Sequence, residues 1–265
     1  MPVYLGNCHC GAFKFTLTAA DELKHAFSCD CSICSRNGYV LVKDGELVAT
    51  KGDFQTTLSS YSFGKHQAEH KFCPKCGTSI AIYISSKSLT LVNLRAIEGI
   101  DLDSLSINSD FKGSQTEPAY QAPTHPVPSI EPPSDSAVYN GSCHCGAVAY
   151  TLVQPNKITT VTECNCSICS RNGARWAYIL ARNLTVRDAE TETTEYDFNT
   201  KQGKHTFCKT CGVVVYIRFA GPEGTMLDPA KRALNVRTLN GIDLESFEVT
   251  KANGKAFPPA YVVPE

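Results

Sequence analysis

Cys29, Cys31 and Cys34 place three thiols within the six residues CDCSIC, and Cys164, Cys166 and Cys169 do the same in CNCSIC. As thiolates, three such sulfurs bind one zinc ion from a single short segment and leave its fourth position for water or a substrate atom, the arrangement that separates catalytic from structural zinc. Eight further cysteines fall into short pairs: Cys8/Cys10 with Cys73/Cys76, and Cys143/Cys145 with Cys208/Cys211. Each set of four suits a closed tetrahedral site that clamps distant parts of a small fold. The spacing leaves a second grouping open, in which Cys31/Cys34 joins Cys73/Cys76 and Cys8/Cys10 is spare. His70 and His205, each three residues before a cysteine, are candidates either for a fourth ligand or for a polar neighbour of the metal.

These residues are written twice. GNCHCGAFKFTL from Gly6 returns as GSCHCGAVAYTL from Gly141, and YSFGKHQAEHKFCPKCG from Tyr61 returns as YDFNTKQGKHTFCKTCG from Tyr196. The first seven cysteines recur at a constant offset of 135, so the halves are expected to share one fold. The register then slips: NLRAIEGIDL from Asn93 matches NVRTLNGIDL from Asn235, which predicts a longer loop in the second copy around FAGPEGTML. EPAYQAP near residue 120 mirrors the chain's last residues, PPAYVVP. The predicted organisation is a domain over 1–123, a Pro/Ser-rich linker over 124–137 that favours an extended path, and a domain over 138–265.

The elements that must position the cysteines are short. AFKFTL, YVLV, TSIAIYI and LTLVNLR in the first copy, and AVAYTL, WAYILA and VVVYIRF in the second, are β-branched and aromatic runs separated by turn residues. Long segments of helical period are missing. Two small, mainly β domains with metal sites in the turns are expected, with Asn37/Gly38 and Asn172/Gly173 as turn residues.

Composition narrows the function. No apolar run approaches the roughly 18 residues of a membrane span. The first residues, MPVYLGNCHCGAF, lack the basic start, apolar stretch and cleavage site of a secretory signal. This points to the cytoplasm, with the nucleus left open, where clustered cysteines hold metal rather than disulfides. Residues 1–123 carry 11 Lys/Arg and 12 Asp/Glu, and residues 138–265 carry 14 and 12. Seven thiolates and two zinc ions would make each domain more negative still. Neither has the basic surplus or the basic runs with interleaved aromatics that phosphate binding uses, which weighs against a nucleic-acid partner.

In this order, G-x-C-H-C-G, C-x-C-S-x-C-x-R-x-G and H-x-F-C-x-x-C-G resemble the glutathione-dependent formaldehyde-activating enzyme family, which includes centromere protein V. The resemblance covers most of both halves. It implies tandem β domains of the Mss4-like, β-tent kind, with structural zinc on the four-cysteine sets, catalytic-type zinc on the three-cysteine sets, and up to four ions per chain. It further implies carbon-sulfur lyase chemistry on glutathione, or other thiol, adducts of an aldehyde or related electrophile, with glutathione as cosubstrate and the adduct as small-molecule partner. His70, His205, Tyr61 and Tyr196 are the acid/base candidates. Arg36 and Arg171, two positions beyond each triplet, could pair with a glutathione carboxylate or cap their own loop. The tandem amounts to an internal pseudo-dimer, with further oligomerisation open. The rival reading is a non-catalytic zinc-binding interaction module similar to centromere protein V.

Overall fold

A computed structural model describes residues 1–116 and 118–265. The chain divides into two compact units: Met1–Tyr120 with Ser170–Gly173 and Val262–Glu265, and Gln121–Cys169 with Ala174–Tyr261. Both are mainly β.

The first unit contains β1 (Val3–Asn7), β2 (Lys14–Ala19), β3 (His25–Cys29), α1 (Ser32–Asn37), β4 (Leu41–Val42), β5 (Gly45–Lys51), β6 (Ser59–Tyr61), β7 (Glu69–Phe72), β8 (Ser79–Ile84), β9 (Leu89–Asn93) and β10 (Ser106–Phe111). β1, β2 and β5 form a three-stranded sheet, and the others a seven-stranded sheet in the order β10-β3-β4-β9-β8-β7-β6. All pairs are antiparallel except β10 with β3. β2 shows why the sequence reads as strand: Phe15, Leu17 and Ala19 are buried while Lys14, Thr16 and Thr18 alternate with them. Burying each such phenylalanine contributes about 2 kcal/mol. A bridge between Gly6 and Ile97 ties the small sheet to the segment after β9.

The second half of the chain repeats the plan with β11 (Ala137–Ser142), β12 (Ala149–Gln154), β13 (Thr160–Cys164), α2 (Ser167–Asn172, whose residues from Ser170 on belong to the first unit), β14 (Trp176–Leu180), β15 (Leu184–Arg187), α3 (Ala189–Glu192), β16 (Thr193–Tyr196), β17 (Gly203–Cys208), β18 (Val214–Phe219), β19 (Lys231–Asn235) and β20 (Glu248–Ala252). Its sheets are β11-β12-β15 and β16-β17-β18-β19-β14-β13-β20, with β13 and β20 parallel. The expected longer loop is residues 220–230, between β18 and β19; the equivalent connection in the first unit is the short turn 85–88.

The proline-rich stretch after residue 123 runs extended along the second unit. Thr151 Oγ1 donates to the Pro126 carbonyl at 2.7 Å, Arg187 Nη1 to the Thr124 carbonyl at 2.9 Å, and Ser129 N to Thr185 Oγ1 at 2.8 Å. Its prolines lack N–H groups, and two of these three bonds use the segment's carbonyls. No helix among the described residues is long and apolar enough to cross a membrane.

Candidate metal centres and their surroundings

The four-cysteine sets assemble where two turns meet. Cys8 and Cys10 follow β1, and Cys73 and Cys76 follow β7. In the first turn, Phe13 N–H donates to Cys8 Sγ at 3.2 Å, and in the second unit Val148 N–H donates to Cys143 Sγ at 3.3 Å. Such donors favour the thiolate. Thr78 links the two turns, its Oγ1 accepting from His9 N at 3.1 Å and lying 3.3 Å from Cys76 Sγ.

Cys8, Cys10, Cys73 and Cys76 bring their sulfurs within 4.8 Å of one another, as do Cys143, Cys145, Cys208 and Cys211. Neighbouring sulfurs stand 3.6 Å apart at Cys8/Cys10 and Cys10/Cys73, and 3.5 and 3.6 Å at Cys143/Cys145 and Cys145/Cys208. Zinc with four bonds of about 2.3 Å needs sulfur-to-sulfur edges of about 3.8 Å, whereas a disulfide needs about 2.05 Å. The spacing fits a metal, and it rules out the alternative grouping that left Cys8/Cys10 spare.

Cys29, Cys31 and Cys34 form a separate cluster, and Cys164, Cys166 and Cys169 its counterpart, each again within 4.8 Å. No histidine joins any of the four clusters among the described residues. The C-x-C-x-x-C segment is not a loop throughout. Its last part, SICSRN, is a short helix, α1, begun by Cys31 and ended by Gly38 in the left-handed conformation with φ of 55°. The predicted Asn37/Gly38 turn is thus a helix end, where glycine adopts that conformation at least cost. The helical turn swings Cys34 back toward Cys31, while Cys29 arrives from β3. Hydrogen bonds from Cys31 and then Cys34 hold Cys29 down to about 3, and Cys31 is pushed up to about 11 by the same sharing with Cys29. Cys164 is held down to about 2 by Cys166 and Cys169.

Gly113 and Gly254 close these clusters and were not singled out from sequence. A Cβ at Gly113 would overlap Cys29 Sγ, and one at Gly254 would overlap Cys164 Sγ. The signal was present in the paired stretches FKGSQTEPAY and KANGKAFPPAY, which look like linker until the second copy is aligned.

His70 lies on β7 and His205 on β17, 4% and 5% exposed. The Nδ1 of each is buried without a hydrogen-bond partner among the described residues. Burial pushes both imidazoles down to about 4, opposed by the charge of Cys29 and Cys164 respectively. They are neutral near pH 7 and within electrostatic reach of the three-cysteine clusters. Tyr61 and Tyr196 sit directly across the sheet from them, in the pairs Tyr61↔His70 and Tyr196↔His205, and stack on Phe63 and Phe198. Those phenylalanines also wall the imidazoles, at 5.9 and 6.2 Å between ring centroids. The other wall differs between copies. Tyr39 stacks on His70 at 5.8 Å, while Trp176 meets His205 edge-on at 6.2 Å.

Arg36 is 6% exposed; its Nη1 donates to the Ser32 carbonyl at 3.1 Å and its guanidinium lies over the Tyr120 ring at 4.2 Å. Arg171, 8% exposed, donates from Nη2 to Asn7 Oδ1 at 3.0 Å. Both are engaged by protein groups.

With this geometry in hand, the family model described as glutathione-dependent formaldehyde-activating enzyme matches residues 3–106 and again 138–233. The chain belongs to this family, in two tandem copies. A protein of Halomonas elongata, provisionally assigned as a glutathione-dependent formaldehyde-activating enzyme, is 33% identical over 85 residues, which is 29% of this chain and 54% of that protein. The match thus spans about half the length of that curated relative. A solved structure of a Rhodobacter sphaeroides protein is 33% identical and is covered over 99% of its length by 42% of this chain, with a TM-score of 0.36.

Proposed function

We propose that the chain is a zinc-dependent carbon-sulfur lyase acting on glutathione, or related thiol, adducts of aldehydes. The observation that carries the reading is the three-cysteine cluster with no fourth His, Cys, Asp or Glu ligand among the described residues, within electrostatic reach of a buried, unpartnered imidazole. Family membership supports it through the glutathione and aldehyde chemistry in the family's description. Zinc on three thiolates would keep a position for the substrate sulfur and favour its thiolate form.

The chain's own groups would carry the proton. In the cleavage direction the carbon-sulfur bond of an S-hydroxyalkyl adduct breaks and its electron pair leaves with sulfur. The hydroxyl oxygen forms the carbonyl double bond and loses its proton. His70 or His205, neutral and unpartnered at Nδ1, would take that proton and return it in the reverse, addition direction. Tyr39 and Phe63, or Trp176 and Phe198, surround the ring and exclude water, which keeps the proton from exchanging with bulk. The four-cysteine centres would be structural. Arg36 and Arg171 would hold the cluster helices in place, and a direct role toward a glutathione carboxylate would require them to leave their present partners.

The test is NMR of glutathione mixed with formaldehyde and with larger aldehydes, following adduct exchange with and without the chain. Accelerated exchange, lost in a chain carrying Cys34→Ser and Cys169→Ser, supports the lyase. Exchange at the uncatalysed rate for every aldehyde overturns it in favour of a non-catalytic zinc module.

A further inference from the structure

The two units share their cysteines and histidines but not the wall beside them. In the second unit the strand register lines up Tyr178, Ala233, Ile217, His205 and Tyr196 across five adjacent strands, a row whose side chains share one face of the sheet. Trp176 and Phe219, each two residues from a member of the row, share that face. The Tyr178 and Phe219 rings are parallel, with centroids 6.4 Å apart and planes at 12°. Phe219 is buried, but Tyr178 is 47% exposed. Burial, and then the charge of Cys169, Cys164 and Cys166, pushes the Tyr178 hydroxyl up to about 12, so this half-open ring stands within electrostatic reach of the three-cysteine cluster. Beside it, Trp176 Nε1 is a buried donor without an acceptor among the described residues, a group that costs free energy until something bonds it.

The first unit has none of this. Its β4 stops at Val42, and Lys43 stands where the repeat places Tyr178. Leu41 replaces Trp176, Ile84 replaces Phe219, and Tyr39 covers His70 at the position of Ala174. A stacked pair serving packing alone would gain by burying both rings. Here one ring face stays open within electrostatic reach of the cluster, and the indole donor waits for an oxygen.

Resting on the lyase reading, we propose that Tyr178, Phe219 and Trp176 form a subsite in the second unit for an aromatic or conjugated carbon skeleton on the electrophile. The ring of the electrophile stacks on Tyr178, and an oxygen on that skeleton accepts from Trp176 Nε1. The first unit, lacking the stacked pair, takes small aliphatic electrophiles. The duplication therefore yields two selectivities rather than two copies of one.

The test titrates the purified full-length chain calorimetrically with S-methylglutathione and with S-benzylglutathione. S-benzylglutathione is expected to bind one site about tenfold more tightly than the other, the size of a favourable aromatic contact. The pair Tyr178→Lys and Phe219→Ile, the first unit's residues, should erase that difference and leave the S-methylglutathione isotherm, zinc content and circular dichroism unchanged. Tyr178→Phe, which keeps the ring, should retain tight binding. An S-benzylglutathione isotherm unaffected by the double substitution, or a Tyr178→Phe chain as weak as the double variant, overturns the subsite while leaving the lyase reading standing. If neither conjugate binds, both fall together.

Discussion

Gly113 lies so close to Cys29 that its missing side chain is the space the sulfur occupies, and Gly254 stands in the same relation to Cys164. The three-cysteine segments do not make their sites alone. Each is finished by backbone arriving from the far end of its unit, just after β10 or β20, and the Gly113 amide donates to Cys29.

Gly113→Ala and Gly254→Ala should therefore each displace one sulfur and lower the metal content by about one ion per chain, from an expected four. The four-cysteine centres should keep theirs. Elemental analysis beside circular dichroism reads both quantities, and an unchanged count in either variant would contradict this account of the cluster.

Removing Cys76 or Cys211 should act on folding instead. Both are buried in the four-cysteine sets, and a structural zinc bound there would contribute folding free energy directly. Cys76→Ser or Cys211→Ser is expected to unfold its own unit, seen as partial loss of sheet signal, and a strong chelator added to the native chain should unfold both. Retention of the full sheet signal after complete metal removal would show that the centres are not structural.

His70→Gln and His205→Gln leave the metal ligands in place but take away the imidazole. Together they should slow adduct exchange by about 100-fold, the low end for a positioned proton carrier, with no change in metal content. A loss of metal in step with activity would assign the histidines to ligation.

A prediction about stability concerns Lys71, which is 1% exposed. Its Nζ lies 3.0 Å from Glu69 Oε2, 2.7 Å from Gln55 Oε1 and 2.5 Å from Ser60 Oγ, with the Phe54 ring 5.4 Å away. The hydrogen bond from Lys71 holds the Glu69 carboxyl below its ordinary value, against the opposing effect of burial. A carboxyl depressed in the folded state stabilises above its unfolded pKa and loses that contribution as pH falls through the folded value. Glu69 is more than a third exposed, so Glu69→Gln should cost only about 0.5–1 kcal/mol above pH 5. The difference from the parent chain should shrink as pH falls below about 4.5. Urea melts of the two chains at several pH values give the difference directly, and acid release of metal, common to both, cancels. A penalty constant with pH would mean that the Glu69 charge is not what Lys71 uses.

Much of the site was legible because metal chemistry writes itself into spacing. The four-plus-three division of the cysteines was one of two groupings the spacing allowed, and the repeat offset put the extra loop around FAGPEGTML, where the structure has residues 220–230. The His70 and His205 positions beside C-x-x-C were visible as well. What stayed hidden depends on contacts between segments far apart in the chain. Nothing local to Gly113 marks it as part of a cysteine cluster, and the Tyr39 and Trp176 walls occupy different places in the repeat. Arg36 and Arg171 had the right charge for an anionic substrate, but only the folded chain shows that Ser32 and Asn7 already engage them. The SICSRN helix escaped because six residues are too few to show a period.

The late arrival of β10 and β20 sets an order of events during synthesis. All four sulfurs of the first four-cysteine set are available once Cys76 has emerged from the ribosome, so that set can capture its ion and pin the young sheet early. Cys29, Cys31 and Cys34 must wait for Gly113, and Cys164, Cys166 and Cys169 for Gly254, 79 or more residues after their own synthesis. For that interval the thiols of the three-cysteine clusters lack their cover, and oxidants or competing metals reach them most readily. A shortage of metal during synthesis would thus reach the three-cysteine clusters of this chain before it cost the chain its fold.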